Sequence, residues 1–245
     1  MEKIFEQIET LNYKIWLSTK KDPNKVKADR LFEERKHLYL KLHEQNKDKI
    51  LVLDIETTGL HSKESILEVG IVELDLTTGE RNIIFDSLCY EDSYDPNKKY
   101  WVFDNGYMKP EELKDAPHFK DIKERIQTIL FSYPNGATAF NKAFDFDKFL
   151  MQRGLKFPKV LDCPMVLLTN VCKLPKTNGG YGFKWPKVEE AWEFLFGKET
   201  GYVELHRGAD DALHEAQIVY EIFKRGIFKV KGFEKKFEFK TNSPK

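Results

Sequence analysis

Four carboxylates and one histidine, spread over three separated segments of the 245-residue chain, are the side chains best suited to do chemistry together. Asp54 and Glu56 lie in LVLDIETTGL, Asp145 in AFNKAFDFDKFL, and His206 with Asp211 in HRGADDALHEA. Acidic groups beside apolar runs disfavour one another's charge unless something positive holds them together. Divalent metal ions are the simplest candidates, and a pair of such ions is suited to cleaving phosphate esters.

Each segment has its own geometry. Asp54 and Glu56 are two residues apart on an apolar run, Ile50 to Ile55, that has the character of a buried central strand. Period-two geometry therefore places both carboxylates on one face. The following Thr57-Thr58-Gly59-Leu60 is a loop in which glycine permits close backbone approach to a ligand. Asn141 and Asp145 stand at i and i+4, so on a helix they share a face. Asp147 is the rival carboxylate, but it points about 200° away from Asp145 around a helix. By itself Asp145 would be an ordinary early-helix acid favoured by the helix dipole. His206 and Asp211 begin a long helical stretch, where a histidine of near-neutral pKa can accept a proton from an attacking water. Without the other motifs His206 reads as a surface histidine at a helix start. Asp210 competes with Asp211, and spacing alone separates them. His61, His118 and His214 lack comparable context, although His214 lies three residues from Asp211 on the same helix face.

Positioning these groups requires an ordered set of elements. Residues 1–48 carry helical periodicity and no chemistry: Ile4, Ile8, Leu11 and Ile15 form one stripe, Leu31, Leu38 and Leu42 another, with Asp22-Pro23 as a cap between them. This predicts a helical hairpin docked on the main domain or on a partner. Residues 50–55, 66–75 and 82–88 read as strands, followed by a long connection over 89–110. Tyr90, Tyr94, Tyr100, Trp101, Phe103 and Tyr107 crowd that connection. Such residues more often pack a loop onto the body than stack unpaired bases. A helix around Phe119–Ile129, a strand at 137–140, a helix at 142–153 closed by Gly154 and a strand at 159–162 come next. A glycine- and proline-containing connector, 173–186, leads to helices at 187–196 and 208–225. A three-strand meander followed by alternating helix and strand is an α/β domain with a mixed sheet.

Composition bounds the remaining classes. A chain that is 41% hydrophobic and 33% charged is globular rather than disordered. Lys+Arg 40 balances Asp+Glu 40, so no bulk charge draws it to nucleic acid or membrane. The stretch 224–245 is locally basic, with eight Lys/Arg against two Glu, which suits either a solvated terminus or phosphate contact. No apolar stretch approaches the roughly 18 residues of a membrane span, and MEKIFEQIET has no apolar signal core. Cys89, Cys163 and Cys172 are odd in number and lack CxxC spacing, which points to a reducing cytoplasmic setting, with the nucleus left open.

Taken together, DIETTGL at 54–60, FNKAFDFDKFL at 140–150 and HRGADDA at 206–212 resemble the DEDDh 3′→5′ exonucleases of the DnaQ-like proofreading superfamily. The likeness covers about residues 49–225, and Ala116-Pro117-His118-Phe119 and Lys184-Trp185-Pro186-Lys187 add to it. It implies a ribonuclease H-like mixed five-stranded sheet flanked by helices, with the N-terminal hairpin outside the likeness. The organisation is then a hairpin at 1–48, an exonuclease domain at 49–228 and a basic tail at 229–245. By the same likeness, Asp54, Glu56, Asp145 and Asp211 ligate two Mg²⁺ or Mn²⁺ ions and His206 deprotonates water. Thr57, Thr58 and Leu60 would contact the 3′-terminal nucleotide, with Asn141 and Phe144 lining the same cleft. The related tyrosine variant would need tyrosine at 207, where this chain has Arg207. Phe140 stands where many relatives have histidine, which implies altered packing or substrate contact and costs no ligand.

The expected activity is hydrolysis at the 3′ end of single-stranded or frayed nucleic acid, DNA before RNA, releasing nucleoside 5′-monophosphates. An RNA-trimming exoribonuclease is the alternative within that chemistry. A non-catalytic nucleic-acid or protein-binding module on the same fold is the alternative outside it, and loss of a ligand would have favoured it. Residues 1–48 could dock a protein partner; no membrane association is expected.

Overall fold

The computed structural model describes residues 1–21, 25–176, 179–200 and 202–233, with the side chains of 21 and 25–27 left aside. Two helices, α1 (Glu2–Lys21) and α2 (Lys25–Gln45), precede strand β1 (Lys49–Thr57), β2 (Ile66–Asp75) and β3 (Arg81–Leu88). Helices α3 (Trp101–Asp104) and α4 (Phe119–Phe131), strand β4 (Ala137–Thr138) and a π-helix (Ala143–Leu150) follow. Helices α5 (Pro164–Cys172), α6 (Val188–Phe196) and α7 (Gly208–Lys224) complete the order. Among the described residues the sheet runs β3-β2-β1-β4, with β1–β2 and β2–β3 antiparallel and β1–β4 parallel.

The sheet thus has four strands where five were expected. The segment at 159–162 reaches the edge but makes a single parallel bridge, Ala137 to Val160. It is held by Ala137 N–H donating to Lys159 O and Leu161 N–H to Ala137 O. A β4 of only two residues offers no ladder for it to extend.

Alternation along β1 divides the core. Ile50 and Val52, with Val72 and Leu74 opposite them, pack under α5, α6 and α7. Leu51, Leu53 and Ile55 face the other way, with Ile71 and Val69 as neighbours, into a cluster shared with α4 and the π-helix. Continuing the first parity puts Asp54 and Glu56 on the α7 face, where apolar burial gives way to chemistry.

The N-terminal stripe forms as its spacing predicts, with one shift: Phe5, Ile8, Leu11 and Ile15 are buried, while Ile4 is only partly so. The Asp22-Pro23 cap lies outside the described residues. Phe5, Ile8 and Leu42 belong to the same cluster as Leu51, Leu53 and Ile55. Asn46 donates to Ser132 O at 3.0 Å and His43 Nε2 lies 2.7 Å from Phe131 O, so the hairpin docks on α4. Of the basic tail, Val230 and Phe233 are buried in the α7-side cluster, and residues 234–245 lie outside the described residues.

Helix α5 has no counterpart in the expected element order, although Pro164 at its first turn and the apolar PMVLL were visible. The expected α-helix at 142–153 is instead a π-helix over most of its length, closed by Gly154 at φ +79°. Most of the crowded aromatics pack inward. Tyr94, Tyr100 and Phe103 stack on one another over Leu67 and Leu113, whereas Trp101 stays 56% exposed.

Candidate active site

Strand β1 delivers Asp54 and Glu56 to one end of the sheet, and the start of α7 crosses it there. The crossing depends on two glycines. Gly70 on β2 is the register partner of Asp54, and a Cβ built on it would lie 2.1 Å from the carbonyl carbon of Gly208. Only a bare backbone at Gly70 admits the helix this closely. Asp211, in the first turn of α7, is thereby lowered onto the same face.

Asp211 is fixed by three donors. Arg207 N–H approaches its Oδ2 at 2.9 Å; Leu205 N–H and the Tyr202 hydroxyl reach its Oδ1 at 3.2 and 3.1 Å. Arg207 itself is tied down, its guanidinium bonding Glu68 on β2 at 3.0 Å and Glu112 at 3.0 Å. Glu68 also accepts the Gly208 N–H. Asp211 is buried and Asp210 exposed, which separates the two carboxylates that spacing alone had to separate. Asp145 is likewise buried and Asp147 exposed. Asn141 is an exposed turn residue ahead of the π-helix, one i→i+4 backbone bond from Asp145, whose N–H donates to the Asn141 carbonyl at 3.3 Å. The same carbonyl accepts the Phe144 N–H at 2.8 Å.

Glu56, His206 and Asp211 each present a ligand atom within 4.8 Å of the other two. Asp54 and Asp145 stand outside that trio but within its field. Burial first, then the carboxylates of Glu215, Asp145, Glu56 and Asp211, push the Asp54 pKa well above the usual carboxylate range. Glu56 is raised in the same way by burial and by Asp211, Glu68, Glu204 and Asp145. Burial pushes Asp145 up to about 8, opposed by its own and the Ile55 backbone N–H. So much negative potential in a half-dry cleft demands either protons or a cation. The donors, carboxylate oxygens with one imidazole, fit a hard or borderline divalent ion.

His206 sits at φ +52°, in the left-handed region that a non-glycine residue visits at a cost. Its ring is boxed by two aromatics of the 89–110 connection, edge-on to Tyr107 at 4.2 Å and to Trp101 at 5.0 Å between centroids. Burial lowers its pKa, Asp211 and Glu189 oppose that, and Lys187 adds to it, so the ring is neutral near pH 7 and free to take a proton.

Among the expected nucleotide contacts, Thr57 and Thr58 spend their hydroxyls on the loop itself. Thr57 donates to Gly59 O at 2.8 Å, and Thr58 donates to Glu64 and accepts from Ser65 N–H, both at 2.9 Å. Leu60 is 73% exposed at the rim, its carbonyl held by Lys148 Nζ at 3.1 Å. Phe144 packs on Phe149. Phe140 is buried in the α7-side cluster. His214 bonds the Asp210 carbonyl and packs on Tyr202 and Trp192, a structural role.

Two acids escaped sequence reasoning. Glu215 is buried, accepts the Phe140 N–H at 3.2 Å, and has its pKa raised by burial and by Asp145 and Asp211. Its position four residues after Asp211 on one helix face was the available signal. Glu204, raised to about 7 by burial and Asp211, lies in an irregular segment with no such signal.

The family described as Exonuclease, RNase_T, matches residues 51–219. Comparison with curated proteins finds no match. Among solved structures, a 3′-exonuclease described in specific recognition of the histone mRNA stem-loop 3′ end aligns at TM-score 0.55 and 18% identity, over 75% of this chain and 85% of its own. Cell-death related nuclease 4 aligns at 0.54 and 17%, over 75% and 66%. The nuclease domain of 3′hExo, a DEDDh family member bound to rAMP, aligns at 0.52 and 17%, over 75% and 96%. At such identities these three establish a shared fold.

Proposed function

Because this chain belongs to the RNase_T exonuclease family, we propose that it removes nucleotides from the 3′ end of single-stranded or frayed nucleic acid, DNA in preference to RNA, releasing nucleoside 5′-monophosphates. The observation that carries the reading is the meeting of Asp54, Glu56, Asp145, Asp211 and His206 at one end of the sheet from three distant segments. Asp54, Glu56, Asp145 and Asp211 would hold two divalent ions, Mg²⁺ or Mn²⁺. Such a pair, when bound, would polarise the attacking water and neutralise charge building on the leaving 3′-oxygen.

The chain's own side chains account for the rest. His206, neutral and clamped edge-on between Tyr107 and Trp101, takes the proton of the water at a ring nitrogen. The Thr57–Leu60 loop, stiffened by its threonine hydroxyls, offers backbone groups and the exposed Leu60 side chain to the last nucleotide. Asn141 and Phe144 complete that wall. A terminal nucleotide must be unpaired to enter, which is why single strands and frayed ends are the substrate.

A time course on matched 5′-labelled single-stranded DNA and RNA, with Mg²⁺, Mn²⁺ or EDTA, tests the reading. Stepwise shortening from the 3′ end that EDTA stops, and that Asp54→Ala abolishes in a folded protein, is expected. His206→Ala should slow turnover by about 10²–10⁴-fold. An Asp54→Ala protein as active as the parent would end the proposal.

A further inference from the structure

A second concave surface lies away from the catalytic cleft. Helices α2 and α4 enclose a groove of about 840 Å³. Its apolar surface comes from Phe32, Tyr39, Leu40 and Phe131, of which Phe32 and Leu40 stay 38% and 56% exposed. Among the described residues its rim carries Arg35, Lys36, Lys120 and Lys123 against one acid, Glu124. The α2 wall precedes residue 51, so half of the groove lies outside the family match.

These cations can be recruited. Lys36 pairs with Glu33 and Lys120 with Asp92, but each pair is solvent-exposed and weakly held, so a phosphate can replace it. Among the described residues Arg35 hydrogen-bonds a neutral partner, Asn12 Oδ1 at 2.7 Å, and stands 5.2 Å from the Phe32 ring centroid. Four cations around one exposed ring, Phe32, suit a single strand whose phosphates are taken by charge and one base by stacking.

The groove runs the length of α4, so one of its ends lies toward the catalytic end of the sheet. Helix α4 finishes at Phe131, a few residues before Ala137 pairs with Leu51 near the start of β1. Its first turn, with Lys120, therefore lies toward the opposite end, where Glu68 pairs with both Glu56 and Leu88 and Tyr90 bridges to His118. Gly154 lines the groove, and its neighbour Arg153 donates to the carbonyls of Ser62 and Glu64, in the loop that leaves β1 past Leu60. The groove lies on the α4 face of the sheet and Asp54 on the α7 face, so a strand whose 3′ end lies at Asp54 and Leu60 would reach the groove by rounding the end of β1 past the Ser62–Glu64 loop.

We propose that the α2–α4 groove binds the substrate strand on the 5′ side of the cleaved end, with Arg35, Lys36, Lys120 and Lys123 on its phosphates and Phe32 under a base. This rests on the exonuclease reading and extends it. The groove then sets a length preference: a trinucleotide fills the cleft alone, whereas a long strand fills both.

The test compares the full chain with a Lys36→Ala/Lys120→Ala/Lys123→Ala variant and with Phe32→Ala, using a trinucleotide and a long labelled oligonucleotide. Melting curves establish that each variant is folded. For the triple variant, KM on the long strand should rise by about tenfold or more, and its salt dependence should flatten by about 0.7 for each phosphate no longer neutralised. KM on the trinucleotide, and kcat on both, should stay at parental values. Anisotropy of the long strand in EDTA should show the same weakening without turnover. Unchanged long-strand KM and salt slope overturn the proposal and leave the groove to an acidic peptide; equal weakening on both lengths also overturns it. A parent protein that cleaves neither length fails the exonuclease reading instead.

Discussion

Substituting Gly70 by alanine isolates how the fold brings Asp211 to Asp54. The new Cβ would lie 2.1 Å from the Gly208 carbonyl carbon and 2.2 Å from its oxygen, both backbone atoms that cannot rotate away. Restoring an ordinary contact of 3.4 Å means moving the start of α7 off the sheet by about 1.3 Å. Asp211 travels with it, as do the Arg207 and Leu205 N–H groups that hold its oxygens. Overpacking of this kind costs about 1–3 kcal/mol of stability. In a chain of this size each kcal/mol lowers Tm by about 2–4 °C. A reacting group misplaced by about 1 Å loses about 10²-fold in rate, equivalent to about 2.7 kcal/mol of barrier. Gly208→Ala, whose Cβ would meet Gly70 N at 2.9 Å, should lose less of both. Steady-state release of mononucleotide beside a thermal melt reads the two effects separately. A Gly70→Ala protein with lowered Tm but undiminished kcat would refute the claim that this contact positions Asp211.

Two further outcomes follow from the cleft. Asp54, Glu56, Asp145 and Glu215 have folded-state pKa values above their unfolded ones, so the metal-free fold binds protons more tightly than the unfolded chain. Stability contributed by these groups is complete below the ordinary carboxylate value of 3.8 and is lost as pH climbs toward about 8, the Asp145 value. In EDTA, Tm should therefore fall with rising pH across that window, and Mn²⁺ should restore more of it at the alkaline end; a flat or rising EDTA profile would contradict this. The aromatic box makes a different demand. An edge-on ring contact is worth about 0.5–1.5 kcal/mol, so Tyr107→Ala should lower kcat by up to about tenfold with KM little changed. Tyr107→Phe, which keeps the ring, should match the parent, and equal losses in both variants would count against ring packing as the cause.

Local rules made much of the site legible. Period two on β1 put Asp54 and Glu56 on one face, and the angular separation of Asp145 from Asp147 gave the buried member of that pair. What escaped is what only tertiary packing creates. The meeting of Gly70 with Gly208 joins residues far apart in sequence, although a glycine inside the strand ILEVGIVELD was a local hint. The box around His206 needs the 89–110 connection to fold back over the start of α7, which no periodicity encodes. The π-helix differs from an α-helix by one hydrogen-bond step, below the resolution of an apolar stripe. The edge segment at 159–162 has strand-like residues but too short a neighbour to pair with.

The docking of α1 and α2 on α4 has a mechanical consequence. Phe5, Ile8 and Leu42 are interior residues of the same packed mass that supports β1, so the appendage is no tether swinging on a linker. Any object gripped along its flank would be held at a constant offset from the reaction centre, as work is held in a jig. Excising the first 48 residues would lay open the greasy underside of the catalytic body instead of freeing a self-sufficient nuclease.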